Sequence, residues 1–143
     1  MQPALLDTSI YIFALRRRDA AAVGLRRLAP DTPLWMSAVV LEELYAGSGE
    51  RERRVIERLE RDFDRARRIV VPSLADWSDS GRVLARLAAK YSYEQIGRGR
   101  LTNDALIAVS AGRLGIKVIT ANRRDYNRLA EFWPFQWQVS TFS

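Results

Sequence analysis

Short apolar runs alternate with helical stripes along the chain, a pattern that predicts strands separated by helices. Strands are predicted at residues 4–6, 34–37, 68–72, 116–120 and 136–140. Helices are predicted over residues 9–17, 19–28, 38–47, 50–68, 74–91, 104–115 and 123–132, and residues 92–103, which lack periodicity, as a loop. This alternation favours parallel strands joined by right-handed crossovers. We therefore expect a three-layer α/β/α sandwich with a central, mainly parallel sheet of about four or five strands.

The composition limits the available chemistry. The chain has 143 residues, with no cysteine and no histidine. We expect one domain over residues 1–143, large enough to fold without disulfide or metal. Cysteine and histidine nucleophiles, thiolate zinc sites and histidine-bound metals are excluded. Acid–base or metal chemistry must then depend on Asp, Glu, Lys, Tyr or the metal itself.

Localisation and charge point to an intracellular protein with an anionic partner. The acidic Asp7 precedes any apolar stretch, and no run approaches the roughly 20 residues of a membrane span. We therefore expect a soluble, cytoplasmic protein with no membrane partner. The net charge is +6, and only Lys90 and Lys117 among 23 basic residues are lysines. Basic excess is typical of nucleic-acid binders, although a GC-rich genome explains the preference for arginine equally well.

Asp7 interrupts an apolar run, "ALLDTSIYIF", at the predicted end of the first strand. The ends of parallel strands meet at one edge of a sheet, where such folds place their sites. Ser37, Thr120 and Asn122 follow or end the other strands at that edge. Asp7 is therefore expected to lie in a polar site built from several segments.

Two further carboxylates lie on apolar helix faces. Glu43 has Val39, Val40, Ala46 and Gly47 as its helical neighbours, and Asp104 leads an apolar stripe of small and branched residues. Glu42 is a weaker rival of Glu43. A purely structural interpretation is also open, since Asp7 could cap the next helix and Asp104 suits a first helical turn.

Taken together, the three acidic side chains favour a cation site. Three partly buried like charges without an evident basic partner would destabilise the fold by several kcal/mol. A hard divalent cation, bound by carboxylate oxygens, would remove that repulsion.

Four segments in this order and spacing resemble one known family. They are "LLDTSIYI", "SAVVLEELYAG", "LTNDALIAVSAGRLGIKVIT" and "TANRRDY". Together they resemble the PIN-domain nucleases, particularly the VapC-like toxins of type II toxin–antitoxin pairs, over essentially the whole chain. The resemblance implies that Asp7, Glu43 and Asp104 hold one or two Mg²⁺ or Mn²⁺ ions, and its Glu-Leu-x-x-Gly register prefers Glu43 to Glu42.

The fourth acidic position of the family departs from its pattern in this chain. Asn122 stands where the family usually has an acidic residue, and it would supply an oxygen ligand without charge. Asp125, three residues later, is the other candidate for a metal-binding or catalytic role. Thr8, Ser9 and Thr120 are candidates to place a ligand.

The resemblance implies a metal-assisted hydrolysis of RNA, with in-line attack that leaves a 5′-phosphate. Tyr11, Tyr93 and Trp133 are candidates to stack on bases, although core or dimer packing is the simpler interpretation. Candidate phosphate-binding residues are basic: Arg16, Arg17, Arg18, Arg98, Arg100, Arg123 and Arg124.

The resemblance also implies two protein partners, a second copy in a homodimer and a cognate antitoxin. Tyr11, Ile12 and Leu15 are residues that a partner helix could cover.

Two other classes of function compete with the nuclease. A phosphoacceptor signalling domain would also place Asp at strand ends, but it needs an acidic pair after the first strand, an Asp after the middle strand and a Lys after the last. The segments "LLDTS", "VVPS" and "QVSTF" contain none of these. A non-catalytic RNA-binding PIN relative would have lost acidic ligands, whereas three of four are present here.

Overall fold

A computed structural model describes residues 2–16, 32–92 and 100–140. Within these ranges the strands are β1 (Ala4–Leu6), β2 (Leu34–Ser37), β3 (Ile69–Val70), β4 (Lys117–Thr120) and β5 (Trp137–Val139). The helices are α1 (Thr8–Arg16), α2 (Ala38–Ala46), α3 (Glu50–Arg65), α4 (Leu74–Tyr91), α5 (Arg100–Leu114) and α6 (Arg123–Leu129). The helix predicted at residues 19–28 lies outside the described residues.

All five strands form one parallel sheet in the order β3-β2-β1-β4-β5. The predicted three-layer α/β/α architecture is confirmed. From β1 the chain first moves outward through β2 to β3, then crosses to β4 and β5 on the other side. Right-handed crossovers in opposite directions place helices on opposite faces. Helices α1, α2 and α3 accordingly pack as one group, and α4, α5 and α6 as another.

The reversal of strand order occurs between β1 and β4, at the centre of the sheet. Leu6 of β1 is in register with Ile119 of β4, and the backbone N–H of Asp7 donates to the Ile119 carbonyl at 3.0 Å. A doubly wound sheet opens a crevice at such a reversal, outside the carboxyl ends of its strands. The fold therefore positions Asp7 and Thr120 side by side in that crevice.

The predicted loop over residues 92–103 is wrong at its C-terminal end. Helix α5 begins at Arg100, so residues 100–103 are helical. The physical reason is tertiary packing, because Leu101 is only 2% exposed and the added turn buries it in the core. Asp104 consequently lies beyond the first turn, and the capping interpretation of this residue is also wrong.

Smaller differences occur at three other boundaries. Strand β3 has two residues and stops at Val70, since Val71 is already exposed. Strand β5 spans Trp137–Val139, and α6 ends at Leu129 rather than at Phe132. Gly47 is the C-cap of α2, as the sequence predicts.

An ion pair joins the two longest helices of one layer. Asp76 of α4 completes a capping box with Ser73, and its side chain is 2% exposed. Arg113 of α5 approaches both oxygens of Asp76, with its Nη2 2.9 Å from Oδ2 and its Nε 2.9 Å from Oδ1. The pair fixes the start of α4 against the end of α5. Among the helices of the described ranges, none is long and apolar enough to cross a membrane.

Candidate active site

Asp7 follows β1 directly and is 2% exposed. Its Oδ1 accepts a hydrogen bond from Ser9 Oγ at 2.5 Å and a longer one from the Ile10 N–H at 3.4 Å. Its Oδ2 accepts from Thr120 Oγ1 at 2.6 Å. Burial raises the pKa of Asp7 above its usual value of 3.8, while the hydroxyl donors of Ser9 and Thr120 act in the opposite direction. Asp7 thus caps α1 and also presents a costly carboxylate in the crevice.

The two hydroxyls that hold Asp7 are themselves held by the backbone after β4. Ser9 Oγ accepts the N–H of Ala121 at 3.1 Å, and Thr120 Oγ1 accepts the N–H of Asn122 at 2.9 Å. Each hydroxyl donates its single proton to Asp7 and uses a lone pair for the backbone. This arrangement fixes the orientation of the carboxylate with respect to both strands.

Glu43 enters the same region from α2. It is half-buried, and its Oε1 accepts a hydrogen bond from Thr8 Oγ1 at 2.6 Å. Glu42 is exposed, so the structure separates these neighbours as the helical pattern predicts. Thr8 and Ser9 are consecutive residues that orient two different carboxylates.

Asp104 enters from α5 and is half-buried. Asp7, Glu43 and Asp104 come from three separate elements, yet all of them act on the hydroxyl of Tyr126 in α6. Burial raises the pKa of Tyr126 well above its usual value, and the charges of Asp104, Asp7 and Glu43 raise it further. The hydroxyl of Tyr126 therefore marks the point around which the three carboxylates are arranged.

Tyr126 is 0% exposed, and its hydroxyl has no completed hydrogen bond within the described part of the chain. A near contact with Asp7 contributes to its raised pKa. Leaving a buried hydroxyl unsatisfied costs about 1–3 kcal/mol. Because a phenylalanine would avoid this cost, the oxygen is the unusual feature of the position.

Asn122 and Asp125 form a pair at the start of α6. Asn122 Oδ1 caps the helix by accepting the Asp125 N–H at 3.3 Å, and Asn122 Nδ2 donates to Asp125 Oδ2 at 2.8 Å. In this arrangement the oxygen of Asn122 serves the backbone and its amide nitrogen orients the carboxylate. Asp125 is then the member of the pair that brings a charge.

The predicted basic residues are placed unequally. Arg123 and Arg124 are exposed at the start of α6, immediately after the crevice. Arg16 is exposed at the end of α1 and lines a pocket of about 140 Å³ that also includes Glu43. Arg17, Arg18 and Arg98 lie outside the described residues, as does the side chain of Arg100, whose backbone begins α5.

The predicted aromatic and partner-facing residues also differ in exposure. Tyr11 is 1% exposed, so its ring belongs to the core and is covered by the chain itself. Ile12, by contrast, is 39% exposed and Leu15 is half-buried, and both line the pocket that contains Glu43. Trp133 is half-buried against the core, and Tyr93 lies outside the described residues.

The donor set fits a hard divalent cation in its chemistry. Its charged groups are carboxylates, and no lysine or arginine of the described residues forms an ion pair with Asp7 or Glu43. Oxygen ligands of this kind suit Mg²⁺. As the side chains stand, no three acidic groups within residues 2–16, 32–92 and 100–140 are close enough to hold one ion together. The orphaned hydroxyl of Tyr126 at their centre agrees with a pocket whose side chains are not yet fully paired.

A family model described as PIN domain matches residues 4–131. The chain belongs to the PIN-domain family. The match includes β1, the α2 segment with Glu43, α5 and the Asn122–Asp125 pair, and so covers every element that contributes to the crevice. No protein of curated function matches the sequence at a significant level.

Solved structures similar to this PIN domain are complexes named VapBC. One is DNA-bound VapBC from Salmonella typhimurium, with 23% identity, a TM-score of 0.68, and coverage of 97% of this chain and 98% of that chain. Another is VapBC-1 from nontypeable Haemophilus influenzae, with 28% identity, a TM-score of 0.64, and coverage of 96% and 98%. VapBC2 from Rickettsia felis, bound to a promoter DNA fragment, has 21% identity, a TM-score of 0.68, and coverage of 98% and 100%. The predicted resemblance to VapC-like PIN-domain proteins is confirmed.

Sequence reasoning missed Tyr126 in this PIN domain. It is the last residue of the "TANRRDY" segment and occupies a helical position suited to core packing. The signal that identifies it is the position of its hydroxyl among carboxylates from three distant segments, which only the fold brings together.

Proposed function

We propose that the protein is a metal-dependent endoribonuclease that hydrolyses RNA phosphodiester bonds and acts as the toxin of a toxin–antitoxin pair. We further infer that residues 1–143 act as a single PIN-like nuclease domain. One observation carries the proposal: carboxylates from β1, α2 and α5 surround one buried hydroxyl. The buried carboxylate of Asp7 is energetically unfavourable unless a ligand offsets its desolvation.

One or two Mg²⁺ or Mn²⁺ ions are the cofactors proposed for this site. Asp7, Glu43 and Asp104 would hold the ion, with Asn122 or Asp125 as the fourth group. A bound divalent ion lowers the pKa of water and neutralises charge on the scissile phosphate. The hydroxyls of Thr8, Ser9 and Thr120 keep the carboxylates in place, which limits their reorganisation during the reaction.

RNA is the proposed substrate. Arg123 and Arg124 on one side of the crevice and Arg16 on the other are exposed, and the net charge of +6 favours an anionic polymer. Arg98 and Arg100 are proposed to contribute further phosphate contacts. Phosphate contacts of this kind position the strand but do not select its sequence.

A cognate antitoxin and a second copy of the chain are the proposed protein partners. The similar structures are VapBC complexes, which supports an antitoxin as a partner of this chain. The pocket formed by Ile12, Leu15 and Glu43 offers an apolar surface directly beside a proposed ligand. A partner segment seated there would cover Glu43 and block the site.

A non-catalytic RNA-binding module is the alternative function. It is favoured by the present separation of the acidic groups, of which no three can hold one ion as the described side chains stand. That module would bind RNA in a salt-dependent manner, leave it intact, and show no requirement for a divalent ion.

RNA cleavage by the wild-type chain, with and without EDTA, distinguishes the two functions. The nuclease predicts cleavage that EDTA abolishes and that Asp7→Asn and Asp104→Asn reduce at least about a hundredfold. Glu43→Gln and Glu42→Gln form a matched pair, because the two residues are adjacent but only Glu43 faces the carboxylate cluster. Cleavage that persists in EDTA and in both Asp variants would contradict the proposal.

A further inference from the structure

Tyr126 combines two features that core packing does not require. Its ring packs against Phe135 and Trp137, with centroid distances of 6.1 and 6.5 Å. These ring contacts would be equally available to phenylalanine. The hydroxyl adds a buried donor that completes no hydrogen bond within the described residues, so the oxygen has no role in packing.

The same hydroxyl lies beside a carboxylate that can still accept a hydrogen bond. Asp7 receives three donors, namely Ser9 Oγ, the Ile10 N–H and Thr120 Oγ1. A carboxylate offers about four lone-pair sites. The near contact between Asp7 and Tyr126 therefore joins a donor without an acceptor to an acceptor with remaining capacity.

We propose that Tyr126 is a positioning residue for Asp7, and that its hydroxyl donates a hydrogen bond to the Asp7 carboxylate when Asp7 binds a divalent cation. This inference rests on the proposed function and deepens it. Carboxylates that bind metals are normally held by a further hydrogen bond, which fixes their orientation. Tyr126 is rigidly packed by its aromatic neighbours, so its hydroxyl can hold Asp7 at little entropic cost.

Tyr126→Phe tests the proposal, because it removes one oxygen and keeps the ring. Ser80→Ala is the matched control: Ser80 is also buried, its hydroxyl also has no partner among the described residues, and it lies on α4, which contributes none of the three carboxylates. Binding of Mn²⁺ is measured by titration calorimetry for the wild type and both variants. Unfolding by urea is measured in EDTA and at saturating Mn²⁺.

The expected result is Mn²⁺ binding about tenfold weaker in Tyr126→Phe and unchanged in Ser80→Ala. In EDTA neither variant should lose stability, since neither hydroxyl has a hydrogen bond to lose. Equal Mn²⁺ affinity in Tyr126→Phe and wild type would overturn the inference. So would a loss of stability in EDTA with an unchanged response to Mn²⁺, which would show a structural role.

The proposed function fails in a distinguishable way. A wild-type chain that binds no Mn²⁺ would contradict the metal site itself, and with it the role assigned to Tyr126. A wild-type chain that binds Mn²⁺ while Tyr126→Phe behaves identically contradicts the role of Tyr126 alone.

Discussion

Thr120 Oγ1 donates a hydrogen bond to Asp7 Oδ2 at 2.6 Å and joins the ends of two neighbouring parallel strands. Both residues are buried, and they lie 113 positions apart in the sequence. The same Thr120 oxygen accepts the N–H of Asn122, so one hydroxyl connects β1, β4 and the segment that leads into α6.

Thr120→Val keeps the shape of the side chain but removes this connection. We expect the free energy of unfolding in EDTA to fall by about 1–3 kcal/mol, because Asp7 loses a donor and the Asn122 N–H loses an acceptor. Thr120→Ser retains the hydroxyl and should lose less. Urea denaturation of the three proteins measures the difference, and equal losses in the Val and Ser variants would show that packing of the methyl group dominates.

Asp7→Asn should stabilise the metal-free protein at neutral pH. Burial raises the pKa of Asp7, so the folded chain binds its proton more tightly than the unfolded chain does. The contribution of Asp7 is therefore present below its ordinary pKa of 3.8 and is lost as the pH rises through the higher folded value.

This second prediction is checked by urea denaturation in EDTA over a series of pH values. The stability difference between Asp7→Asn and wild type should grow as the pH rises above about 4. A variant that is less stable than wild type at every pH would show that the hydrogen bonds of Asp7 outweigh its desolvation.

Arg113→Met should destabilise the fold by roughly 2–3 kcal/mol, because Asp76 remains buried without its partner while Arg113 itself is partly exposed. Burial alone would raise the pKa of Asp76, but the hydrogen bonds from Arg113 and Ser73 lower it overall. The stabilisation is therefore present above the unfolded pKa of about 4 and is lost as the pH falls through the lower folded value.

Arg82→Met is the control for this pair. The Arg82–Asp79 contact is exposed, with 72% and 32% of the two side chains accessible, and its loss should cost less than about 0.5 kcal/mol. Thermal or urea unfolding at pH 7 and pH 3 compares the variants. Equal effects of the two substitutions would contradict the special role of the buried pair.

Gly112→Ala and Gly81→Ala should have opposite effects on stability. A Cβ at Gly112 would lie 2.9 Å from the Pro134 carbonyl oxygen and 3.1 Å from the Phe135 Cβ, so α5 would be pushed from the segment before β5. We expect a loss of about 1–3 kcal/mol. A Cβ at Gly81 meets nothing within 4 Å. Alanine there should stabilise α4 by about 0.5–1 kcal/mol, and urea denaturation of both variants checks the signs.

The strand and helix order could be predicted because local periodicity follows burial in this chain. The buried run of β1 and the Gly47 cap of α2 are examples in which local and tertiary requirements agree. The start of α5 could not be predicted, since residues 100–103 follow a glycine and show no helical pattern of their own. Burial of Leu101 against the core decides that boundary.

The candidate site could be predicted in part for a similar reason. A carboxylate that interrupts an apolar surface, such as Asp7 or Glu43, is visible in the sequence. The hydrogen-bonded partners of these residues are not visible, because Thr120 meets Asp7 only through strand pairing and Thr8 meets Glu43 only through helix packing. Tyr126 escapes notice because its ring satisfies the core pattern while its oxygen reaches the site.

The central claim is that Asp7, Glu43 and Asp104 jointly bind a divalent cation. Its most direct test is a Mn²⁺ titration of the metal-free chain, with free Mn²⁺ followed by electron paramagnetic resonance, for wild type and for the Asp7→Asn, Glu43→Gln and Asp104→Asn variants. We predict saturable binding by the wild type that is weakened at least about tenfold by each substitution, and unaffected by Glu42→Gln. Binding that is absent in the wild type, or unchanged in all three variants, would contradict the claim.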